Sequence, residues 1–181
     1  MKKSSIFLLV LSFSLMLVLS VGYNRQVADR VATVSAAVGN RELPIYCVDT
    51  DNKKIALTFD AAWGNEDTGQ ILETLAKHDV KVTFFMTGEW VEKYPEDVKA
   101  ILAAGHDLGN HSGTHPDMTK LSDSQKTEEL MDVHNKVKTL TGYEMCLFRP
   151  PFGAYDNQVV INAKENGYYT IQWDVDICDT E

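Results

Sequence analysis

The sequence predicts an α/β fold built on a parallel β-sheet, open or closed into a barrel, and three observations carry that prediction. From Lys54 onward, short apolar runs rich in strand formers alternate with stretches whose apolar residues recur at helical spacing. Glycines and capping residues punctuate the helical stretches at their ends. The distinctive polar residues fall just after the predicted strands, the edge at which parallel α/β folds build their sites.

Taken in order, "KIALTF" (54–59) reads as the first strand. Ile71, Leu72 and Leu75 share one helical face, and Glu73 with Lys77 forms an i,i+4 pair. "VTFFM" (82–86) is the second strand. Pro95 suits the first position of a helix whose buried face is Val98, Ile101 and Leu102 and which Gly105 closes. "DLGN" (107–110) reads as a short third strand. Ser122 and Gln125 have the spacing of a capping box, opening a helix with an apolar face of Leu130, Val133, Val137 and Leu140 that ends at Gly142. "CLF" (146–148) and "YYTIQW" (168–173) are the last two strands, joined by a helix from Asp156 to Asn166. There is no internal repeat and no low-complexity tract.

A chain of 181 residues with 44% hydrophobic and 24% charged side chains has the composition of one globular domain with a real core. Its net charge of −9 provides no basic face, which argues against nucleic acid as a partner. At the N-terminus, Lys2 and Lys3 precede the apolar run "IFLLVLSFSLMLVLSV" from Ile6 to Val21. That run exceeds the roughly 7–15 residues of a signal-peptide core and falls short of the roughly 20 that span a bilayer comfortably. The nearest small-residue cleavage site, Val34-Ser35-Ala36-Ala37, lies well past it, favouring an uncleaved anchor over clean secretion. The expected organisation is a signal peptide or membrane anchor over 1–22, a linker over 23–44 and an extracytoplasmic domain over 45–181. Cys47, Cys146 and Cys178 are odd in number and lack metal-finger spacing. They read as small buried apolar residues, although export permits one oxidised pair.

The stretch "NHSGTHPDM" (110–118) holds His111 and His115 at i and i+4, within reach of a single ion. Alone, such a pair is more often a matter of surface or capping residues. Convergence with Asp60, after the first strand, and Arg149, after the fourth, turns the reading to metal ligands. Asp60 is a candidate general base, against the alternative of a capping aspartate. Arg149, its backbone fixed by the two prolines of "FRPPFG", suits pairing with Asp60 or with Asp176, which follows the fifth strand. A purely structural ion pair is the blander alternative. His78, His106 and His134 lack such company and read as solvated or helix-end residues. Trp63, near the site, is a candidate for stacking on a sugar ring, whereas Trp173 reads as core.

"LTFDAAWGN", "HSGTHPDM" and "RPPFGA" together resemble the NodB-homology polysaccharide deacetylases, carbohydrate esterases that remove acetyl groups from N-acetylated glycans. The resemblance runs from about Ile45 to the end, and within the family it is to the sporulation-associated, PdaB-like branch. It implies a distorted (β/α) barrel and a hydrolase acting on a cell-wall or spore-cortex glycan such as peptidoglycan. By position it implies Asp60 as the base and His111 and His115 as ligands of a divalent metal, zinc or cobalt. Arg149 would position the base and Asp176 would tether the arginine. Pro150, Pro151 and Phe152 would line the acetyl site. Two departures stand out. Ala61 occupies the place of the family's third metal ligand, an aspartate, which weakens the expected metal site. The chain also reaches Glu181 before the family's late leucine-x-histidine, which supplies the acid. The last strands of the barrel would be missing as well, leaving the fifth strand's far edge uncovered. The alternative to a hydrolase is therefore a glycan-binding pseudoenzyme. None of the five histidines offers an obvious replacement for that acid, although His106 lies nearest the site in sequence.

Overall fold

A computed structural model describes residues 41–176, which all fall within the compact unit Ala37–Glu181. Five strands form one sheet, ordered as in the sequence and parallel throughout: β1 (Thr58–Ala61), β2 (Thr83–Met86), β3 (Asp107–Asn110), β4 (Leu147–Phe148) and β5 (Tyr169–Thr170). Between them lie α1 (Thr68–Lys77), α2 (Gly88–Lys93), α3 (Pro95–Ala103), α4 (Asp123–Thr141) and α5 (Asn157–Glu165). Single 3₁₀ turns follow β3 at Met118–Lys120 and β4 at Pro151–Gly153.

The predicted strands are all present; β3 has its predicted bounds and the other four are shorter. The first ladder starts at Thr58 because β2 starts at Thr83; upstream of that pair only the Leu57 carbonyl reaches β2, accepting from Thr83 N–H at 3.3 Å. Ile55 is accordingly 95% exposed despite its apolar setting. β4 ends after two residues, with Pro150 and Pro151 close behind, and so β5 is equally short. Helix α2 has no counterpart among the predicted elements. It is six residues long, and Thr87 caps it by accepting from the Trp90 N–H. The capping box of α4 is complete: Ser122 and Gln125 each satisfy the other's backbone N–H, and Gly142 at φ 75° terminates the helix.

Alternation along the strands separates two faces. Phe59, Phe84, Met86, Leu108 and Phe148 pack with Val98, Ile101, Leu130, Val133 and Val137 of the helices into the main core. On the opposite face, register places Asp60, Phe85 and Gly109 side by side. The far edge of β5 is not bare. Ile45 N–H donates to the Thr170 carbonyl at 2.8 Å and the Ile45 carbonyl accepts from Gln172 N–H at 2.9 Å, adding a parallel bridge there. Among the described residues no helix is long and apolar enough to cross a membrane; the expected N-terminal anchor and Cys178 lie outside those residues.

Candidate active site

Asp60 lies inside β1, one residue short of its end, on the face away from the main core. Its Oδ1 accepts from Arg149 Nη1 at 2.6 Å. Arg149 follows β4 by one position and is only 4% exposed. Its guanidinium lies 4.1 Å above the Phe85 ring centroid and 5.6 Å from that of Trp173, an arrangement that compensates a desolvated cation. Phe85 can lie flat there because its neighbour in β3 is Gly109; a Cβ at that position would run into the Phe85 ring. Gly109, Phe85 and Arg149 thus form a stack that fixes where the Asp60 carboxylate stands.

His111 continues β3 and is 3% exposed. Its Nδ1 is 2.8 Å from the Arg149 carbonyl, which can only accept, so Nδ1 carries the proton and Nε2 presents a lone pair. Burial pushes the imidazole below its ordinary pKa, keeping it neutral. Its Nε2 faces Asp60 Oδ2 at 3.7 Å. Two acceptors pointed at each other leave a place for a cation or a proton donor between them.

The loop that carries His115 is bent through left-handed backbone at two non-glycine residues, Ser112 at φ 67° and His115 at φ 59°. The Ser112 hydroxyl accepts from His115 N–H at 3.0 Å and helps hold the bend. The His115 ring stands edge-on to three others: His111 at 4.8 Å, Phe152 at 4.6 Å and Trp63 at 5.4 Å. Burial again depresses its pKa. Trp63 and Phe152 are 76% and 68% exposed, two aromatic rings flanking the site at its rim. Phe152 is presented by its own left-handed conformation, φ 59°. The loop bearing Trp63 is held by Trp90, whose indole N–H donates to the Gly64 carbonyl at 2.9 Å.

These residues fit a divalent ion as two neutral imidazoles with an adjacent carboxylate. They do not supply the three protein ligands usual for catalytic zinc. Ala61 brings no ligand atom, and among the described residues no group of three or more His, Cys, Asp or Glu side chains is placed to hold a metal. Any remaining coordination positions would fall to water or substrate.

Pro150 and Pro151 are buried and shape the turn that displays Phe152. Several other expectations change. His106 is neither solvated nor near the site. It is 3% exposed, its Nδ1 accepts from the Val82 N–H at 3.3 Å, and it precedes β3, whereas the site lies at that strand's other end. It is no substitute acid. His134 is also engaged, between the Tyr168 hydroxyl at 2.8 Å and the Glu144 carboxylate at 3.0 Å. His78 does cap the end of α1. Cys47 and Cys146 are exposed free thiols instead of buried apolar residues. Asp174 and Asp176 follow β5 on exposed chain at the edge of the described region. Sequence reasoning passed over Phe85, Gly109 and Asn110, which hold the site without bearing its chemistry. Only the glycine within a strand pattern was a signal, one that marks close approach of another group.

A family model described as polysaccharide deacetylase matches residues 48–171. The peptidoglycan-N-acetylglucosamine deacetylase PgdA of Listeria monocytogenes is 37% identical over 161 residues, covering 86% of this chain and 34% of that protein. The peptidoglycan-N-acetylmuramic acid deacetylase PdaA of Bacillus subtilis is 39% identical over 135 residues, covering 74% of this chain and 51% of that protein. The PdaA structure is similar with a TM-score of 0.74 at 34% identity, over 86% of this chain and 64% of that one. A pseudoenzyme of carbohydrate esterase family 4 (CE4) from Bacillus anthracis is similar with a TM-score of 0.71 at 39% identity, over 74% of this chain and 47% of that one. A mutant of that pseudoenzyme with restored enzymatic activity matches at 41% identity. This chain spans about half the length, or less, of the curated relatives it matches. Matched by the family model over more than half its length and by relatives more than a third identical, the chain belongs to the polysaccharide deacetylase family.

Proposed function

We propose that this chain is the deacetylase domain of an exported hydrolase that removes N-acetyl groups from a peptidoglycan-type glycan. The observation that carries the reading is the Asp60 carboxylate, pinned by buried Arg149 and facing the His111 Nε2 lone pair at 3.7 Å. In the proposed reaction water attacks the acetamide carbonyl carbon while Asp60 accepts the water proton. The carbon–nitrogen bond then breaks as the proton held by Asp60 passes to the departing nitrogen, so that acetic acid leaves, ionising to acetate, and the sugar keeps an amine. Arg149 holds Asp60 in register, with Asp176 proposed as a second tether for the arginine. A divalent ion on His111 and His115, zinc or cobalt, would polarise the carbonyl and acidify water when bound. Trp63 and Phe152 are positioned to receive a sugar ring on their exposed faces. Relatives named for N-acetylglucosamine and N-acetylmuramic acid support an N-acetylated glycan substrate. The sequence style supports the PdaB-like branch, and the N-terminal apolar run supports a membrane-anchored or secreted, extracytoplasmic location.

A second reading, a glycan-binding pseudoenzyme, is favoured by Ala61 and by the similarity to a CE4 pseudoenzyme. Acetate release from N-acetylated peptidoglycan fragments, with Zn²⁺ or Co²⁺ supplied, separates the two. Release by the parent chain supports the hydrolase. Fragment binding without acetate supports the second reading, and Ala61→Asp should then tighten Zn²⁺ binding and bring release back.

A further inference from the structure

Behind the site, away from Asp60, runs a line of hydrogen bonds, buried at its inner end and exposed at its outer end, that no catalytic step uses. Asn110 is fully buried and spends both amide hydrogens, one on the Leu130 carbonyl at 2.8 Å and one on the Tyr168 hydroxyl at 3.0 Å. The Tyr168 hydroxyl oxygen therefore accepts from Asn110, and its own hydrogen points to His134 Nδ1 at 2.8 Å. That assignment makes Nδ1 of His134 an acceptor and leaves the Nε2 proton for Glu144 Oε2 at 3.0 Å. Every donor in the line has one acceptor, so the line has a single sense from Asn110 outward. Burial raises the Tyr168 pKa to about 12, so the hydroxyl stays a donor wherever the protein is folded.

The inward end of the line is the site loop. The Asn110 side-chain oxygen accepts from Ser112 N–H at 2.9 Å, and the Ser112 hydroxyl accepts from His115 N–H at 3.0 Å. The Asn110 backbone carbonyl accepts from Arg149 N–H at 2.9 Å. Both left-handed residues of the loop, Ser112 and His115, are thus fastened to one amide whose orientation is set from the far side. Left-handed backbone at non-glycine residues persists only where surrounding contacts over-determine it.

We propose that His134, Tyr168 and Asn110 form a positioning bracket that holds the strained His111–His115 loop in its ligand-presenting shape, so that helix α4 sets the geometry of the site from behind. The inference rests on the deacetylase reading for its purpose but not for its test. The full chain would be compared with Tyr168→Phe, His134→Leu and, as a control for lost stability alone, Val133→Ala. Val133 is fully buried on the same helix and outside the line. In metal-free protein, the Ser112 amide and His115 ring resonances should move in both bracket variants and stay in place in Val133→Ala. Calorimetric Zn²⁺ affinity should fall on the order of tenfold in the bracket variants and be unchanged in the control. Unmoved resonances in the bracket variants, or equal movement in the control, would overturn the proposal. If the parent neither binds Zn²⁺ nor releases acetate, the deacetylase reading fails, while the resonances still decide whether the bracket exists. Should Tyr168→Phe not fold, His134→Leu, at the less buried outer end, carries the same comparison.

Discussion

Strand β3 has a histidine at each end, His106 just before it and His111 just after it, and the two have opposite uses. Both are 3% exposed, and burial depresses the pKa of both. Both have Nδ1 engaged by a backbone group, but in opposite senses. His106 accepts there from Val82 N–H, with its ring against Phe84 at 5.6 Å. His111 donates there to the Arg149 carbonyl, which frees Nε2 as a lone pair opposite Asp60. Burial and a depressed pKa therefore do not mark a functional histidine. An unspent lone pair aimed at a carboxylate does.

The sharpest way to break this contrast is Asp60→Asn. It removes the proton acceptor from the His111 end, and acetate release should fall by about 10²–10⁴-fold. Melting should fall by a few degrees as well, because a buried guanidinium loses its charged partner. Release within a few-fold of the parent would remove Asp60 from the base role. A middle-sized effect is expected from Gly109→Ala, between the two histidines. Its methyl must displace Phe85 and with it Arg149, costing about 1–3 kcal/mol of stability and lowering acetate release. Denaturant titration at parental stability would show that Phe85 has room to move. The smallest effect belongs to the other end. The unfolded chain binds protons at His106 below about pH 6.5 while the folded form resists them. Stability is therefore complete above that value and drains away as pH falls. His106→Asn, which keeps an acceptor for Val82 N–H, should recover part of the melting loss between pH 7 and 5, His111 and His115 accounting for the rest. Acetate release at pH 7 should not change. A loss of release would place His106 in the site after all.

The same contrast marks how far the sequence was legible. Strand and helix alternation was visible because the residues that build the core repeat at the right period, as Val133 and Val137 do in α4. Strand lengths were not, since each ladder is limited by its neighbour: β4 stops short of Pro150, and β5 can be no longer than β4 allows. Asp60, His111, His115 and Arg149 were legible as types of residue at strand ends. Their supports were not. Nothing in "HDLGN" distinguishes the amide that fixes a loop from one that faces solvent, and nothing beside His106 announces that Phe84 and Val82 enclose it. Those facts depend on residues some 20 to 60 positions away.

Three left-handed residues, Ser112, His115 and Phe152, surround the site, and each would be more comfortable as glycine. Selection for thermal robustness alone would favour glycine at these positions, and a library enriched that way would drift from its chemistry as it gained melting temperature. At 115 the gain would cost an imidazole and at 152 an aromatic face. A stabilised version of this domain is better sought in the helices, with these three positions held constant.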